Sequence, residues 1–211
     1  LVLKNNKGTE DNRVRHMDYG VQFNKLMYER LMSGGDITLF SPNDVPGLYD
    51  DFLQDQDKFR ELYEAAERKT SIRKKKISAT ELFSAFMQER KDTGRIYLQN
   101  VDHANEHSSF KTDVAPIKQS NLCCEIDLPT KPLDDINDVT GEIALCTLSA
   151  INWGSFANPE DMEKACTLAV RGLDALLSYQ NYPIIAAQMA TEGRRPLGVG
   201  IINLAYFLAK N

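Results

Sequence analysis

No run in this sequence is long and apolar enough to cross a bilayer. The longest mostly apolar stretch, residues 197–209, falls short of the roughly 20 residues a spanning helix needs, and it holds Asn203. The first residues carry no charged lead and no small-residue cleavage site, so no secretory signal is expected. Cysteine is scarce. Cys123, Cys124, Cys146 and Cys166 show no regular spacing and no Cys-x-x-Cys pair, which argues against a disulfide framework and for reduced thiols in a cytoplasmic protein. Basic charge is in deficit: 25 Lys and Arg stand against 30 Asp and Glu, a net charge of −5, which argues against a general nucleic-acid binder. Internal repeats and low-complexity segments are absent as well.

What remains is an ordinary globular composition, 42% hydrophobic and 26% charged over 211 residues, enough for one sizeable domain. The single basic cluster, Arg73-Lys74-Lys75-Lys76, reads as a solvated helix start. The chain opens on Leu-Val-Leu without methionine and stops at Ala209-Lys210-Asn211, directly after an apolar helical pattern. Both ends are expected to be cuts through a longer polypeptide.

Periodicity and punctuation predict alternating helices and strands. A helix is expected over 12–32, capped at Asp11 or Asn12 and stopped by Gly34-Gly35. A strand follows at 37–40, then two polar surface helices within 48–68. An amphipathic helix is expected over 77–91, with Leu82, Phe83, Phe86 and Met87 on its apolar side and Gly94 ending it. Residues 95–100 read as a strand and 101–118 as a long irregular loop. The near-continuous apolar run 142–151 predicts a strand buried on both faces. Asn158-Pro159-Glu160-Asp161 predicts a helix start, with a cap, a first-turn proline and acids at the positive dipole end, and that helix should run to about Tyr179. A last helix is expected over 196–210. The alternation as a whole predicts α/β architecture with helix-covered strands.

The most informative stretch is 119–129, which sets Asn121, Cys123 and Glu125 at i, i+2 and i+4. In an extended segment these three side chains share one face within roughly 13 Å of backbone, and Leu122, Cys124 and Ile126 take the other. One face then offers a hydrogen-bonding amide, a redox-capable sulfur and a proton acceptor, a kit suited to a polyol such as ribose. Read by itself, Cys146, flanked on its face by Ala144 and Leu148, is a packed core thiol, with a redox thiol as the alternative; Cys166, with Met162, Ala169 and Val170 at helical spacing, packs too. Cys124 points away from Cys123 in the extended reading and is taken as structural. His103 and His107 with Asp102 resemble half a zinc pair, but no second half follows, so no metal site is expected. Gly198-Val199-Gly200 lacks the third glycine and the preceding strand of a dinucleotide fingerprint.

Several segments together resemble one family. Gln119-Ser120-Asn121-Leu122-Cys123-x-Glu125-Ile126 with Leu128-Pro129-Thr130 is similar to the active-site finger loop of class I ribonucleotide reductase large subunits. The run from Ile143 through Cys146 to Ala150 is similar to that family's strand bearing a redox cysteine. Arg15-His16-Met17-Asp18-Tyr19-Gly20-Val21-Gln22, Leu39-Phe40-Ser41-Pro42 with Asp44-Val45-Pro46-Gly47-Leu48-Tyr49, Gly94-Arg95-Ile96-Tyr97, and Arg194-Arg195 with Leu197-Gly198 follow in family order. The resemblance covers essentially the whole chain.

It implies that residues 1–211 are one segment of a ten-stranded α/β barrel with a central finger loop, without the N-terminal cone, the effector loops of this allosteric family or the C-terminal barrel half. It implies reduction of ribonucleoside diphosphates to deoxyribonucleoside diphosphates. Cys123 becomes the thiyl radical that takes the ribose 3′ hydrogen, Glu125 accepts the 3′-hydroxyl proton, and Asn121 hydrogen-bonds the ribose hydroxyls. Ser120, Asn121, Leu122 and Glu125 contact substrate. Cys146 is one of two cysteines that supply reducing equivalents and close into a disulfide. No cofactor binds this segment directly. The implied partners are a metal-containing small subunit that supplies the radical, the remaining large-subunit segments, thioredoxin or glutaredoxin as reductant, and a second large subunit. No partner nucleic acid or membrane is implied. A shielded chamber for the sulfur is expected, because a radical there must be kept from solvent. Ala104 departs from relatives that carry Cys in this loop.

Overall fold

Asn24 decides where the first helix begins. Its backbone is extended, with φ −136°, and its side-chain oxygen accepts from Met27 N, so the helix starts at Lys25. The helix expected over 12–32 is therefore corrected. Tyr19, Val21 and Phe23 alternate with Gly20 and Gln22 and form a strand instead. The computed structural model describes residues 18–210, and the part of that reading on 12–17 lies outside them.

The chain divides into two compact units, Leu1–Pro129 and Thr130–Asn211. The first runs β1 (Tyr19–Phe23), α1 (Lys25–Met32), β2 (Asp36–Phe40), α2 (Leu48–Gln54), α3 (Gln56–Arg68), β3 (Lys74–Ser78), α4 (Ala79–Thr93), β4 (Ile96–Asn100) and α5 (Val101–Glu106). β1 pairs in parallel with β4, and β2 pairs antiparallel with β3. A parallel pair needs a long crossover, and everything from Asn24 to Arg95 supplies it. The expected strands at 37–40 and 95–100 and the two helices of 48–68 are present.

Those two helices lie at the surface with one face exposed, but they are not polar all round. Their inner faces bury Leu48, Phe59, Tyr63 and Ala66 with Leu26, Val45 and Ile72 in one core cluster. The Tyr63 hydroxyl donates to Thr38 O at 2.9 Å and accepts from Thr38 N at 2.7 Å, tying α3 to β2. A second cluster of Phe23, Phe86 and Ile96 fixes β1 and β4 against α4, with Phe83 and Tyr28 stacked around Phe23. Complete burial of one such side chain contributes about 1.5–3 kcal/mol.

The helix expected over 77–91 begins two residues later, and Met87 on its expected apolar side is 60% exposed. Residues 74–78 pair with β2 instead, so Lys74, Lys75 and Lys76 of the basic cluster lie in a strand and not at a helix start. Local sequence gives no hint of this, because the pairing partner decides it. Lys74 also reaches back to Glu67 O at 2.5 Å and Lys69 O at 2.7 Å, placing a cation at the negative end of α3. Gly94 ends α4 with φ +65°, as expected of a helix-terminating glycine.

The segment 101–118 is not structureless. It opens with α5, and Asn105 then anchors the loop that follows. Asn105 Nδ2 lies within 3.2 Å of the carbonyls of Leu53, Val101 and Ile117, and its Oδ1 accepts from Ile117 N at 2.8 Å. One buried amide thus satisfies backbone groups that a loop would otherwise leave unpaired.

The second unit contains β5 (Leu148–Asn152), α6 (Pro159–Tyr179), α7 (Ile185–Arg194), β6 (Gly198–Ile202) and α8 (Leu204–Lys210), with β5 and β6 parallel. Asn158 caps α6 and the helix ends at Tyr179, as expected. The buried strand expected over 142–151 shrinks to its last third, and Leu148 is 53% exposed. Its first part is held by other main-chain partners: Ile143 N donates to Ala186 O, and Thr147 O accepts from Gly198 N. The last expected helix, 196–210, is a strand followed by a short helix. Gly198 permits this, because a Cβ there would meet Leu148 Cδ2 at 2.5 Å. Among the described residues no helix is long and apolar enough to cross a membrane.

Two outcomes follow from these anchors. Asn105→Ala should lower the urea midpoint by an amount worth about 3 kcal/mol or more with an unchanged slope, because it leaves several buried backbone groups without partners. Asp138 accepts from Asp134 N, Thr140 N and Thr140 Oγ1, which holds its pKa at about 2, below the usual 3.8. Its lowered folded pKa makes its contribution complete above about pH 4 and lost as pH falls through about 2. Melting curves of Asp138→Asn across that range should show a shallower decline than those of the parent.

Candidate active site

Parallel pairing in register sets Gln22 of β1 beside Gln99 of β4. Side chains at the same level of neighbouring strands emerge on the same face, so the two amides meet. Gln22 Nε2 donates to Gln99 Oε1 at 2.8 Å and to Lys118 O at 2.8 Å, and Gln99 Nε2 donates to Asp127 Oδ1 at 2.6 Å. Lys118 and Asp127 stand at the two ends of the loop 119–126. Ser120 bridges Asp127 antiparallel, and Asn121 N donates to Ile126 O at 3.2 Å, so the loop is closed at its base.

The loop is not extended, and the one-face arrangement of Asn121, Cys123 and Glu125 is corrected accordingly. Residues 121–124 make a tight turn in which Cys124 N donates to Asn121 O and Cys124 sits at φ +62°. The cause is Asn121. Its side-chain oxygen accepts from Glu125 N at 3.1 Å and Ile126 N at 3.0 Å, and so offers the backbone a local alternative to strand pairing. Ser120 Oγ donates to Asn121 O at 2.9 Å and lies 3.3 Å from the Cys124 sulfur, so Cys124 is tied into the loop as a structural group.

Cys123 stands exposed at the turn and Glu125 is exposed as well. The shielded chamber expected around the sulfur is not formed by the described residues of this unit. Two cavities flank the loop instead. One, of about 300 Å³, is lined by Ser120, Asn121, Leu122 and Cys124 with Gln22 and Gln99. The other, of about 530 Å³, is lined by Glu125, Asp127, His103, His107 and Phe110 among others. The loop thus divides the expected substrate contacts, with Ser120, Asn121 and Leu122 on one side and Glu125 on the other. The His103 and His107 rings lie 5.9 Å apart, and among the described residues no group of three or more His, Cys, Asp or Glu is placed to hold a metal ion.

Cys146 belongs to the second unit, just before β5. It is exposed and not the core thiol that its apolar neighbours predict, because the backbone around it is not a strand. Glu142, four residues earlier, lies 2.6 Å from the Arg194 guanidinium. Cys166 is half-buried on α6, and no disulfide joins any of the four cysteines. Gln22, Gln99 and Asp127 were not singled out as site residues from sequence. For the glutamines the local signal is a glutamine after an apolar residue in each strand, Val21-Gln22 and Leu98-Gln99, which gains meaning once the register is known.

The geometry can be set beside known proteins. The family model described as ribonucleotide reductase, barrel domain, matches residues 1–211. The chain belongs to this family. It is 64% identical over 211 residues to the ribonucleoside-diphosphate reductase subunit alpha of Haemophilus influenzae and 64% identical to the ribonucleoside-diphosphate reductase 1 subunit alpha of Escherichia coli. It is 31% identical over 212 residues to the large subunit of the Plasmodium falciparum enzyme. The two bacterial matches cover 100% of this chain and 28% of each relative. The α/β segments described above are therefore part of a reductase barrel domain.

The loop of this barrel domain makes its own prediction. Asn121→Ala should speed amide exchange at Glu125 and Ile126 by roughly tenfold or more, the equivalent of about 1.4 kcal/mol, whereas Asn121→Asp, which keeps an acceptor, should stay near the parent. Equal protection in the alanine variant would contradict the capping role.

Proposed function

We propose that this chain is the part of a class I ribonucleoside-diphosphate reductase large subunit that carries the radical cysteine. The observation that supports this is the presentation of Cys123 at the exposed turn of a loop anchored at both ends, within a sequence matched over its full length by the reductase barrel domain. In this reading both units belong to one catalytic segment of a ten-stranded barrel, with 119–128 as its finger loop. Other parts of the large subunit wall in the sulfur.

The chemistry assigned to each group follows its type. The Cys123 thiyl takes the 3′ hydrogen of the ribose, so a sulfur–hydrogen bond forms as the carbon–hydrogen bond breaks. Glu125 receives the 3′-hydroxyl proton, and the 2′-hydroxyl takes a proton from the Cys146 pair and leaves as water with help from Asn121; Glu125 then returns its proton to the 3′ oxygen and Cys123 its hydrogen to the 3′ carbon, which regenerates the thiyl. Cys146 and a second cysteine give up two electrons and two protons and close into a disulfide, which an external dithiol such as thioredoxin or glutaredoxin reopens. Ser120 and Leu122 contribute substrate contacts from the smaller cavity. The radical comes from a metal-containing small subunit. A loop held at both legs supplies the fixed placement such a reaction needs. The product feeds DNA precursor synthesis in the cytoplasm, and the complete large subunit works as a homodimer under allosteric control. A noncatalytic assembly protein is the competing reading, disfavoured by the joint presence of Asn121, Cys123, Glu125 and Cys146.

In the complete large subunit assayed with its small subunit, Cys123→Ser should abolish deoxyribonucleotide formation, and Cys166→Ala should leave it near the parent level. Substantial product from the Cys123 variant would remove the radical assignment. The 211-residue chain alone should not turn over substrate, and steady product from it would contradict the division of labour proposed above.

A further inference from the structure

We infer that Gln22, Gln99 and Asp127 form a clamp that sets the position of Cys123, making the two glutamines positioning residues of the reaction. The inference rests on the radical-cysteine reading for its catalytic consequence, and on the structure alone for the clamp.

Three hydrogen bonds carry it. Gln22 Nε2 donates both to Lys118 O, at the entry of the loop, and to Gln99 Oε1; Gln99 Nε2 donates to the Asp127 carboxylate, at its exit. The chain of donors has one direction. With its oxygen occupied by Gln22, Gln99 must turn its NH₂ toward Asp127, and the acceptor there is a carboxylate, the stronger kind of partner. Gln99 is only 7% exposed, and all three bonds are partly buried, which strengthens them relative to bonds in open water. Both glutamines are rooted in strands whose register is locked by the Phe23, Phe86 and Ile96 core. No residue of the loop 119–126 is itself buried. Between its legs it is held by the Asn121 side chain and the closing bond to Ile126 O. Through these amides the strands hold both legs of the turn that bears Cys123. Gln22 and Gln99 also line the smaller cavity beside Ser120 and Asn121, so a shift of the clamp moves the loop and the cavity wall together.

The direction of the donor chain supplies a charge test. Gln99→Glu sets a carboxylate against Asp127, two like charges at hydrogen-bond distance, and should push the exit leg away. Adding Asp127→Asn restores a donor opposite the new carboxylate and should bring the leg back. The experiment uses the complete large subunit with its small subunit and reads two quantities: amide exchange over 121–126, and kcat and KM for diphosphate reduction. Gln99→Glu should accelerate exchange at least about tenfold and lower kcat by about tenfold to a hundredfold with KM changed less than about threefold, the pattern of a misplaced reacting group and not of a lost binding contact. The double variant should return both quantities to within about threefold of the parent, since the paired groups are in direct contact and couple.

Gln22→Met, which keeps the volume and removes the donor, should loosen the entry leg in the same exchange measurement, and it carries the test if Gln99→Glu fails to fold. Unchanged exchange in the variants that fold overturns the clamp. A double variant no better than Gln99→Glu overturns it too. If exchange responds as expected but Cys123→Ser remains active, the clamp stands and the radical-cysteine reading falls. The two failures are thus separable.

Discussion

The parallel pairing of β1 with β4 is the constraint on which the first unit depends. The two strands are five residues each, and Gln22 and Gln99 meet across 77 positions of sequence. Closing so long a crossover costs conformational entropy, and the pairing alone offsets little of it. The aromatic cluster around Phe23 and Phe86, with Ile96 fully buried, provides the remainder. Once that cluster forms, the register is set, because a slip of one residue would send every side chain of β1 to the opposite face. The amide contact between the glutamines is a by-product of that register.

Polar side chains do much of the work in this unit that backbone ladders do elsewhere. Asn24 starts α1 and also donates to Gln56 on α3. Asn105 gathers carbonyls from three separate segments. Asn121 folds a segment with strand-like alternation into a turn. Each is a short amide that mimics a peptide group, so it can satisfy main-chain atoms where no neighbouring strand is available. The turn at 121–124 places Cys124 in the left-handed region, which costs a side-chain-bearing residue about 1–2 kcal/mol. The bonds to Asn121 oppose that cost, and Cys123 is left exposed in the turn.

Exposure of Cys123 and Cys146 has one physical meaning within the reductase reading. Under the roles proposed above, a thiol that meets a substrate or a redox partner cannot be packed among aliphatic side chains, and Cys123 and Cys146 are both exposed. Cys124 and Cys166, to which no redox role is assigned, are the two that are half-buried. Among the described residues of the first unit, nothing encloses the Cys123 sulfur.

Local signals in the sequence determined what local physics controls. Asn158-Pro159-Glu160-Asp161 marked the start of α6, Gly94 marked the end of α4, and the short apolar run at 37–40 marked β2, because caps, left-handed glycines and strand alternation act over a few residues. The ordered motifs around Asn121, Cys123, Glu125 and Cys146 disclosed the family. Tertiary structure decided the rest. Lys74–Ser78 became a strand because β2 lay beside it, Gly198–Ile202 became one because β5 did, and Gln22 and Gln99 gained a role when a parallel register set them side by side. Pairing between distant segments leaves no trace in the local pattern of either one, so these features were settled only when the chain closed on itself.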